Sequence, residues 1–138
     1  MTLQIYTDGG SLNNPGQAAY AYVIFNGLNK IVSHGEPIGI ASNNIAEYTG
    51  LIKALEKVKE LVTENNLPVK NIKVFSDSSL MVNQLNGLFK VKNVKIREHV
   101  FKIRALEKDI NLPIIYIHIV REKNTLADSL VKKALNSR

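Results

Sequence analysis

Residues 2–16 read TLQIYTDGGSLNNPG, an alternating segment that runs into a turn-rich one. From Thr2 to Asp8, polar and apolar side chains alternate, with Leu3 and Ile5 on one face, as in a half-buried strand. Gly9, Gly10 and the Asn-Asn-Pro-Gly run that follows predict a loop. The segment therefore predicts a first strand that Asp8 closes.

The segments that follow predict the rest of an α/β fold. Strands are expected at 18–25 and 30–40, and Ser42 is a good N-cap for a helix to about residue 64. Later come a strand at 72–77, helices at 78–86 and 95–109, a strand at 113–120 and a final helix to residue 135. Short connections favour an antiparallel meander of the first three strands, and helical connections favour parallel pairing of the others. We therefore expect one α/β domain over residues 1–138, with a mixed five-stranded sheet and helices on both faces.

Composition limits the chemistry available to the 138 residues. Lys and Arg number 18 against 12 Asp and Glu, a net charge of +6 that favours a polyanionic partner such as nucleic acid or a membrane surface. There is no cysteine, which excludes disulfides, zinc–thiolate sites and thiol catalysis, and only three histidines are present. Any metal must therefore be held mainly by carboxylates. The longest apolar stretch, residues 18–25, is too short to span a bilayer, so we expect no membrane partner.

Four carboxylates occupy positions at which side chains from separate elements can converge. Asp8 and Asp77 end two strands, and sites in open α/β sheets form at the carboxyl ends of strands. Glu47 lies in the first turn of its helix, on or beside the core-facing side, and Asp128 lies in the first turn of the last helix. Each has an ordinary alternative: a turn or cap residue for Asp8 and Asp77, and a carboxylate that stabilises a helix dipole for Glu47 and Asp128.

Taken together, the four acids favour a metal site. Hard oxygen ligands select Mg²⁺ or Mn²⁺, and two such ions stabilise the attacking and leaving oxygens in phosphodiester cleavage. A basic protein with convergent acids suits a polyanionic substrate, because the cations neutralise the acids while the outer surface holds phosphates.

The motifs around these acids resemble those of type 1 ribonuclease H over essentially the whole chain. They are YTDGGS at 6–11 with NPG at 14–16, NNIAE at 43–47, SDS at 76–78 and NTLAD at 124–128. Each is weak alone, but four in this order are specific together. The resemblance implies a βββαβαβα core, with Asp8, Glu47, Asp77 and Asp128 as catalytic acids and metal ligands. It also implies two Mg²⁺ ions, replaceable by Mn²⁺, and cleavage of the RNA strand of RNA/DNA hybrids to 5′-phosphate and 3′-hydroxyl ends.

The same resemblance implies contacts with the substrate. Gly9 and Gly10 match positions where backbone approaches RNA 2′-hydroxyls, and glycine permits such close approach. The other implied nucleic-acid-binding residues are Asn14, Ser42, Asn43, Asn44 and Ser78. The asparagines could instead be cap and loop residues.

The chain departs from many relatives in the loop before Asp128. Those relatives carry a mobile histidine about ten residues before the last aspartate, whereas here His118 lies inside an apolar strand and the loop reads REKN at 121–124. This resembles an archaeal and bacterial branch without the loop histidine. We hypothesise that Arg121 or Glu122 takes over part of the role of that histidine. The alternative is a solvated charged loop.

A basic segment follows the second predicted helix. It is too short for the full protruding basic helix and loop of some relatives, so we expect that protrusion to be reduced or absent. Lys90, Lys92 and Lys95 are the leading secondary contacts with nucleic acid, although a run of charge is usually a solvated face. We expect a cytoplasmic monomer with an RNA/DNA hybrid as its partner and no obligate protein partner. The competing functions are a non-cleaving hybrid or double-stranded RNA binding module on this fold, and a related nuclease with broader duplex specificity.

Overall fold

A five-stranded mixed sheet in the order β3-β2-β1-β4-β5 organises the computed structural model, which describes residues 1–136. Strands β1 (Thr2–Ser11), β2 (Gly16–Asn26) and β3 (Asn29–Ala41) form the predicted antiparallel meander. Strands β4 (Asn71–Ser76) and β5 (Ile114–His118) add in parallel on the other side of β1. The predicted fold class is therefore confirmed.

Helices cover both faces of the sheet. They are α1 (Asn43–Thr63), α2 (Ser79–Leu85), α3 (Val94–Ile110) and α4 (Thr125–Asn136), with a 3₁₀ turn at Arg121–Lys123 before α4. Alternate residues of β2 separate the two faces: Ile24 belongs to the main core with α1, whereas Ala19 and Ala21 pack against α4. The predicted Ser42 cap is confirmed, because its hydroxyl accepts a 3.1 Å hydrogen bond from the Ile45 backbone N–H.

The first strand is longer than the sequence predicts. It runs through both glycines to Ser11, where Gly9 pairs with Tyr20, Gly10 with Ala19 and Ser11 with Ala18. Pairing with the long β2 strand therefore overrides the turn preference of the Gly-Gly pair. The prediction that Asp8 closes β1 and that its glycines lie in a loop is wrong, and Asp8 projects from within the strand.

The fifth strand is shorter than predicted. It ends at His118, which pairs with Ser76, the last residue of β4. Because β4 ends here, the apolar residues after His118 have no further strand to pair with, and the chain turns towards α4. This early exit places residues 121–124 beside the carboxyl end of β4.

No helix within residues 1–136 is both long and apolar enough to cross a lipid bilayer. Between α2 and α3, residues 86–93 contain no helix, in line with the expected lack of a full basic protrusion.

Candidate metal centre

Three of the four predicted acids converge at the carboxyl ends of the parallel strands. Asp8 projects from β1, Asp77 directly follows its parallel neighbour β4, and Glu47 reaches the same point from the first turns of α1. One carboxylate oxygen from each lies within 4.8 Å of the other two. We call Asp8, Glu47 and Asp77 the acid cluster.

Asp128 lies beside the acid cluster rather than within it. It projects from the first turn of α4 and lines the same cavity of about 580 Å³ as the other three acids. We call this the acidic cavity. Its lining also includes the following predicted residues: Gly9, Gly10, Asn14, Asn43, Asn44, Ser78 and Arg121.

The acid cluster is electrostatically strained. Burial, and then repulsion from Asp77, raise the pKa of Asp8 to about 7. Burial, followed by repulsion from Asp8, raises the pKa of Glu47 well above its usual range. Buried carboxyls this close repel one another when ionised, so the acid cluster favours a counter-charge such as a divalent cation.

One oxygen of Glu47, called the orphan oxygen below, has no hydrogen-bond partner within residues 1–136. It is the Oε2 atom, which is buried. Buried carboxylate oxygens are expensive to leave without a partner, and hard cations prefer carboxylate ligands. The donor set of the acid cluster therefore fits Mg²⁺ or Mn²⁺, with the orphan oxygen as one available ligand.

Close packing between α1 and β1 brings Glu47 to Asp8. A Cβ atom on Gly9 would overlap the backbone of Ala46 and the amide of Glu47, so only glycine permits this approach. Gly10 differs, because the nearest atom to its hypothetical Cβ is 3.9 Å away. The absence of a side chain at Gly9 is thus explained by helix packing, whereas Gly10 has room for a side chain and lines the acidic cavity.

Two cations contact the acids from α4 and the turn before it. The Nε atom of Arg121 lies 3.4 Å from Oδ2 of Asp77, although 80% of the Arg121 side chain is exposed. Lys132 lies 3.0 Å from Oδ2 of Asp128. Lys132 is not among the residues predicted from the sequence, although its i+4 spacing from Asp128 is a signal for such a pair.

Glu122 and His118 both lie outside the acidic cavity. Glu122 is exposed in the 3₁₀ turn, and His118 is exposed at the end of β5. Of the two residues proposed to replace the loop histidine, only Arg121 contacts an acid of the cluster.

The asparagines connect the loop after β1 to the start of α1. Oδ1 of Asn14 accepts a 3.0 Å bond from the Asn43 backbone N–H, and Oδ1 of Asn43 accepts bonds of 2.8 and 3.0 Å from Ser11. The cap and loop roles left open by the sequence are therefore real for Asn14 and Asn43. Within residues 1–136, their amide Nδ2 groups donate no hydrogen bond, and both side chains line the acidic cavity.

The two predicted serines both cap helices. Ser78 precedes α2, and its hydroxyl accepts a 3.2 Å bond from the Met81 backbone N–H while the residue lines the acidic cavity. Ser42, the cap of α1, lies outside that cavity. It lines a neighbouring groove of about 540 Å³ together with Asn44 and Lys95.

The three predicted lysines lie away from the acids. Lys90, Lys92 and Lys95 are exposed and do not line the acidic cavity. Asn44 lines both the cavity and the neighbouring groove, so a continuous surface leads from the acids to Lys95. Lys90 and Lys92 line neither.

Sequence and structure comparisons find the same fold and a similar sequence in other proteins. The family model described as RNase H matches residues 1–136. The bifunctional protein Rv2228c of Mycobacterium tuberculosis is 35% identical over 140 residues, covering 99% of this chain and 36% of its own length. A ribonuclease HI of Halobacterium salinarum is 35% identical over 132 residues, covering 95% of this chain and 63% of its own. The chain thus spans only about one to two thirds of these relatives.

The structure of LC11-RNase H1, solved in complex with an RNA/DNA hybrid, superposes with a TM-score of 0.90. It is 35% identical, and the match covers 97% of this chain and 96% of LC11-RNase H1. The similarity therefore extends over nearly the whole chain.

Proposed function

This chain belongs to the RNase H family, and on that premise we propose that it is a metal-dependent ribonuclease H that cleaves the RNA strand of RNA/DNA hybrids. The proposed reaction is two-metal-ion phosphodiester hydrolysis, leaving 5′-phosphate and 3′-hydroxyl ends. The observation that carries the proposal is the acid cluster, with three carboxylate oxygens within 4.8 Å of one another in a protein of net charge +6.

The acids hold the cations in this proposal. When bound, two Mg²⁺ or Mn²⁺ ions supply the charge that stabilises the attacking and leaving oxygens. Asp8, Glu47 and Asp77 offer the primary ligands, and Asp128 contributes from α4 to a second ion. Because burial and mutual repulsion raise the pKa of Asp8 and of Glu47, cation binding would favour their ionised forms.

The residues around the acids would orient the hybrid. Gly10 lines the acidic cavity without a side chain, which would allow a 2′-hydroxyl, the group that distinguishes RNA from DNA, to approach its backbone. The Nδ2 groups of Asn14 and Asn43 are available as donors, and Asn44 and Ser78 line the same cavity. We assign Gly9 both to helix packing and, through its backbone, to the substrate surface.

Arg121 is the better candidate for the accessory role. Its guanidinium lies at Asp77, where it can meet a phosphate, whereas Glu122 and His118 do not line the acidic cavity. Turnover of Arg121→Ala, Glu122→Ala and His118→Ala separates the three. The strongest loss is expected for Arg121→Ala, and a severe loss confined to His118→Ala would contradict the assignment.

A second contact would hold the DNA strand. Ser42, Asn44 and Lys95 share the groove beside the acidic cavity, and the exposed Lys90 and Lys92 extend the positive surface. Lysines on such a surface hold phosphates without reading sequence. The proposal includes one catalytic domain over residues 1–138, acting in the cytoplasm as a monomer without an obligate protein partner.

Cleavage of end-labelled duplexes tests this function. RNA/DNA, RNA/RNA and DNA/DNA duplexes of one sequence are incubated with Mg²⁺, Mn²⁺ or chelator, and the product ends are identified. We expect cleavage of the RNA strand of the hybrid that requires a divalent cation. Binding of the hybrid without cleavage would support the non-cleaving module instead, and equal cleavage of several duplexes would support a broader nuclease.

A further inference from the structure

Asn124 joins strand β1 to helix α4 from a buried position. Only 1% of the residue is exposed, and its Nδ2 atom donates a 2.8 Å hydrogen bond to the carbonyl of Thr7, the residue before Asp8. A longer contact of 3.5 Å runs from the same nitrogen to Oδ1 of Asp77. One side-chain amide therefore touches the two strands that carry acids of the cluster.

The backbone of Asn124 extends this connection to the fourth acid. Its carbonyl accepts a 3.1 Å hydrogen bond from the backbone N–H of Asp128, within the first turn of α4. A continuous path of two hydrogen bonds thus leads from Thr7 in β1 to Asp128.

This path matters because Asp128 approaches the site from the other side of the sheet. The acid cluster is held by β1, β4 and the tight contact of α1 at Gly9. Helix α4 instead packs on the opposite face, against Ala19 and Ala21 of β2. The amide of Asn124 is therefore a direct link between α4 and the part of β1 that carries Asp8.

The position of Asn124 carries an energetic cost. Its Oδ1 atom is buried and accepts no hydrogen bond within residues 1–136. An unsatisfied buried polar atom destabilises the folded state, and such costs are typical of functional sites. Its amide nitrogen, in contrast, donates to the Thr7 carbonyl and lies 3.5 Å from Oδ1 of Asp77.

The geometry points to Asn124 as a positioning residue that sets Asp128 against the acid cluster and thereby determines the affinity of the second cation. The inference rests on the proposed function and deepens it. Asn124 acts through Asp128, because its 3.5 Å contact with Asp77 is much longer than its 2.8 Å bond to Thr7. Its loss weakens the site that needs Asp128, while the acid cluster, held by other contacts, keeps its own affinity.

Two measurements on the whole protein test this inference. Electron paramagnetic resonance monitors Mn²⁺ binding without substrate, and a cleavage assay measures the Mn²⁺ dependence of hybrid cleavage. Asn124→Leu is close in size to the native side chain and removes the donor without adding a charge beside Asp77. Asn124→Ser, whose hydroxyl is too short to reach Thr7, gives a second comparison should the first variant fail to fold. Asn86→Leu is the matched control, because it removes a 3.1 Å side-chain hydrogen bond to the carbonyl of Tyr116 outside the acidic cavity.

We expect both Asn124 variants to bind the first, tighter Mn²⁺ with a Kd within about twofold of the wild-type value. The Kd for the second Mn²⁺ should rise by tenfold or more. The Mn²⁺ concentration for half-maximal cleavage should rise by a similar factor, with turnover recovering at saturation. Unchanged Mn²⁺ dependence, or equal weakening of both Mn²⁺ binding events, would overturn the inference. An absence of Mn²⁺ binding and cleavage in the wild-type protein would overturn the proposed function itself.

Discussion

Asp8→Asn should stabilise the metal-free protein at neutral pH while abolishing its activity. The pKa of Asp8 is raised from 3.8 to about 7 by burial and by Asp77, a shift of about 3 units. At about 1.4 kcal/mol per unit, the ionised carboxyl costs the folded state up to about 4 kcal/mol above pH 7. Asparagine keeps the shape and removes the charge, so we expect a gain of about 2–4 kcal/mol, or roughly 7–14 °C in Tm.

The sign of the pH dependence follows from the raised pKa. Between about pH 4 and pH 7, the folded state binds more protons at Asp8 than the unfolded state does. Stability of the wild-type protein therefore falls as pH rises through this window, by up to about 1.4 kcal/mol per pH unit from this group. The advantage of Asp8→Asn should be largest at pH 8 and should shrink towards pH 4.

Urea unfolding in the presence of chelator, at pH 5 and pH 8, measures this effect. Asp109→Asn is the matched control, since Asp109 is exposed and paired with Lys59 away from the acidic cavity. Added Mg²⁺ should stabilise the wild-type protein more than Asp8→Asn, because binding to the folded state raises stability by mass action. An equal gain at both pH values, or no gain at pH 8, would refute the account of a strained acid cluster.

The same geometry gives three further predictions. Gly9→Ala should lower the free energy of unfolding by about 1–3 kcal/mol because its Cβ overlaps Ala46, whereas Gly10→Ala should leave the Tm nearly unchanged. Thermal unfolding of both variants compares them directly. Arg121→Ala should raise the affinity of the metal-free protein for Mg²⁺, because the guanidinium competes with the cation for Asp77. Calorimetric titration measures this affinity, and a lower affinity in the variant would contradict the prediction. Neutralising Lys90, Lys92 and Lys95 together should reduce the slope of log K against log salt for hybrid binding by about 1 for each phosphate that a lysine neutralises. An unchanged slope would remove these lysines from the interface.

The sequence predicts the fold well because its periodicities and caps act locally. The alternation in β1 and the Ser42 cap of α1 are both found as expected. The ends of β1 and β5 are not, because strand length depends on the neighbouring strand. Gly9 and Gly10 stay in β1 because β2 continues beside them, and β5 stops where β4 stops.

The candidate site was predictable in its residues but not in its geometry. Motif order selects the four acids, yet only the structure separates the acid cluster from Asp128, which arrives on α4 from the other face. In the sequence, Asn124 is only the first residue of the NTLAD motif, because its bond to Thr7 joins residues 117 positions apart. Contacts of that range leave no local signal in a single sequence.

Cleavage of a hybrid by wild-type protein and Asp77→Asn tests the central claim most directly. The RNA strand is end-labelled, Mg²⁺ is saturating, and Asp109→Asn serves as the exposed aspartate control. We predict cleavage of the RNA strand by the wild-type protein and the control, and a loss of roughly 10³-fold or more for Asp77→Asn. Full activity of Asp77→Asn, or hybrid bound intact by the wild-type protein, would contradict the account.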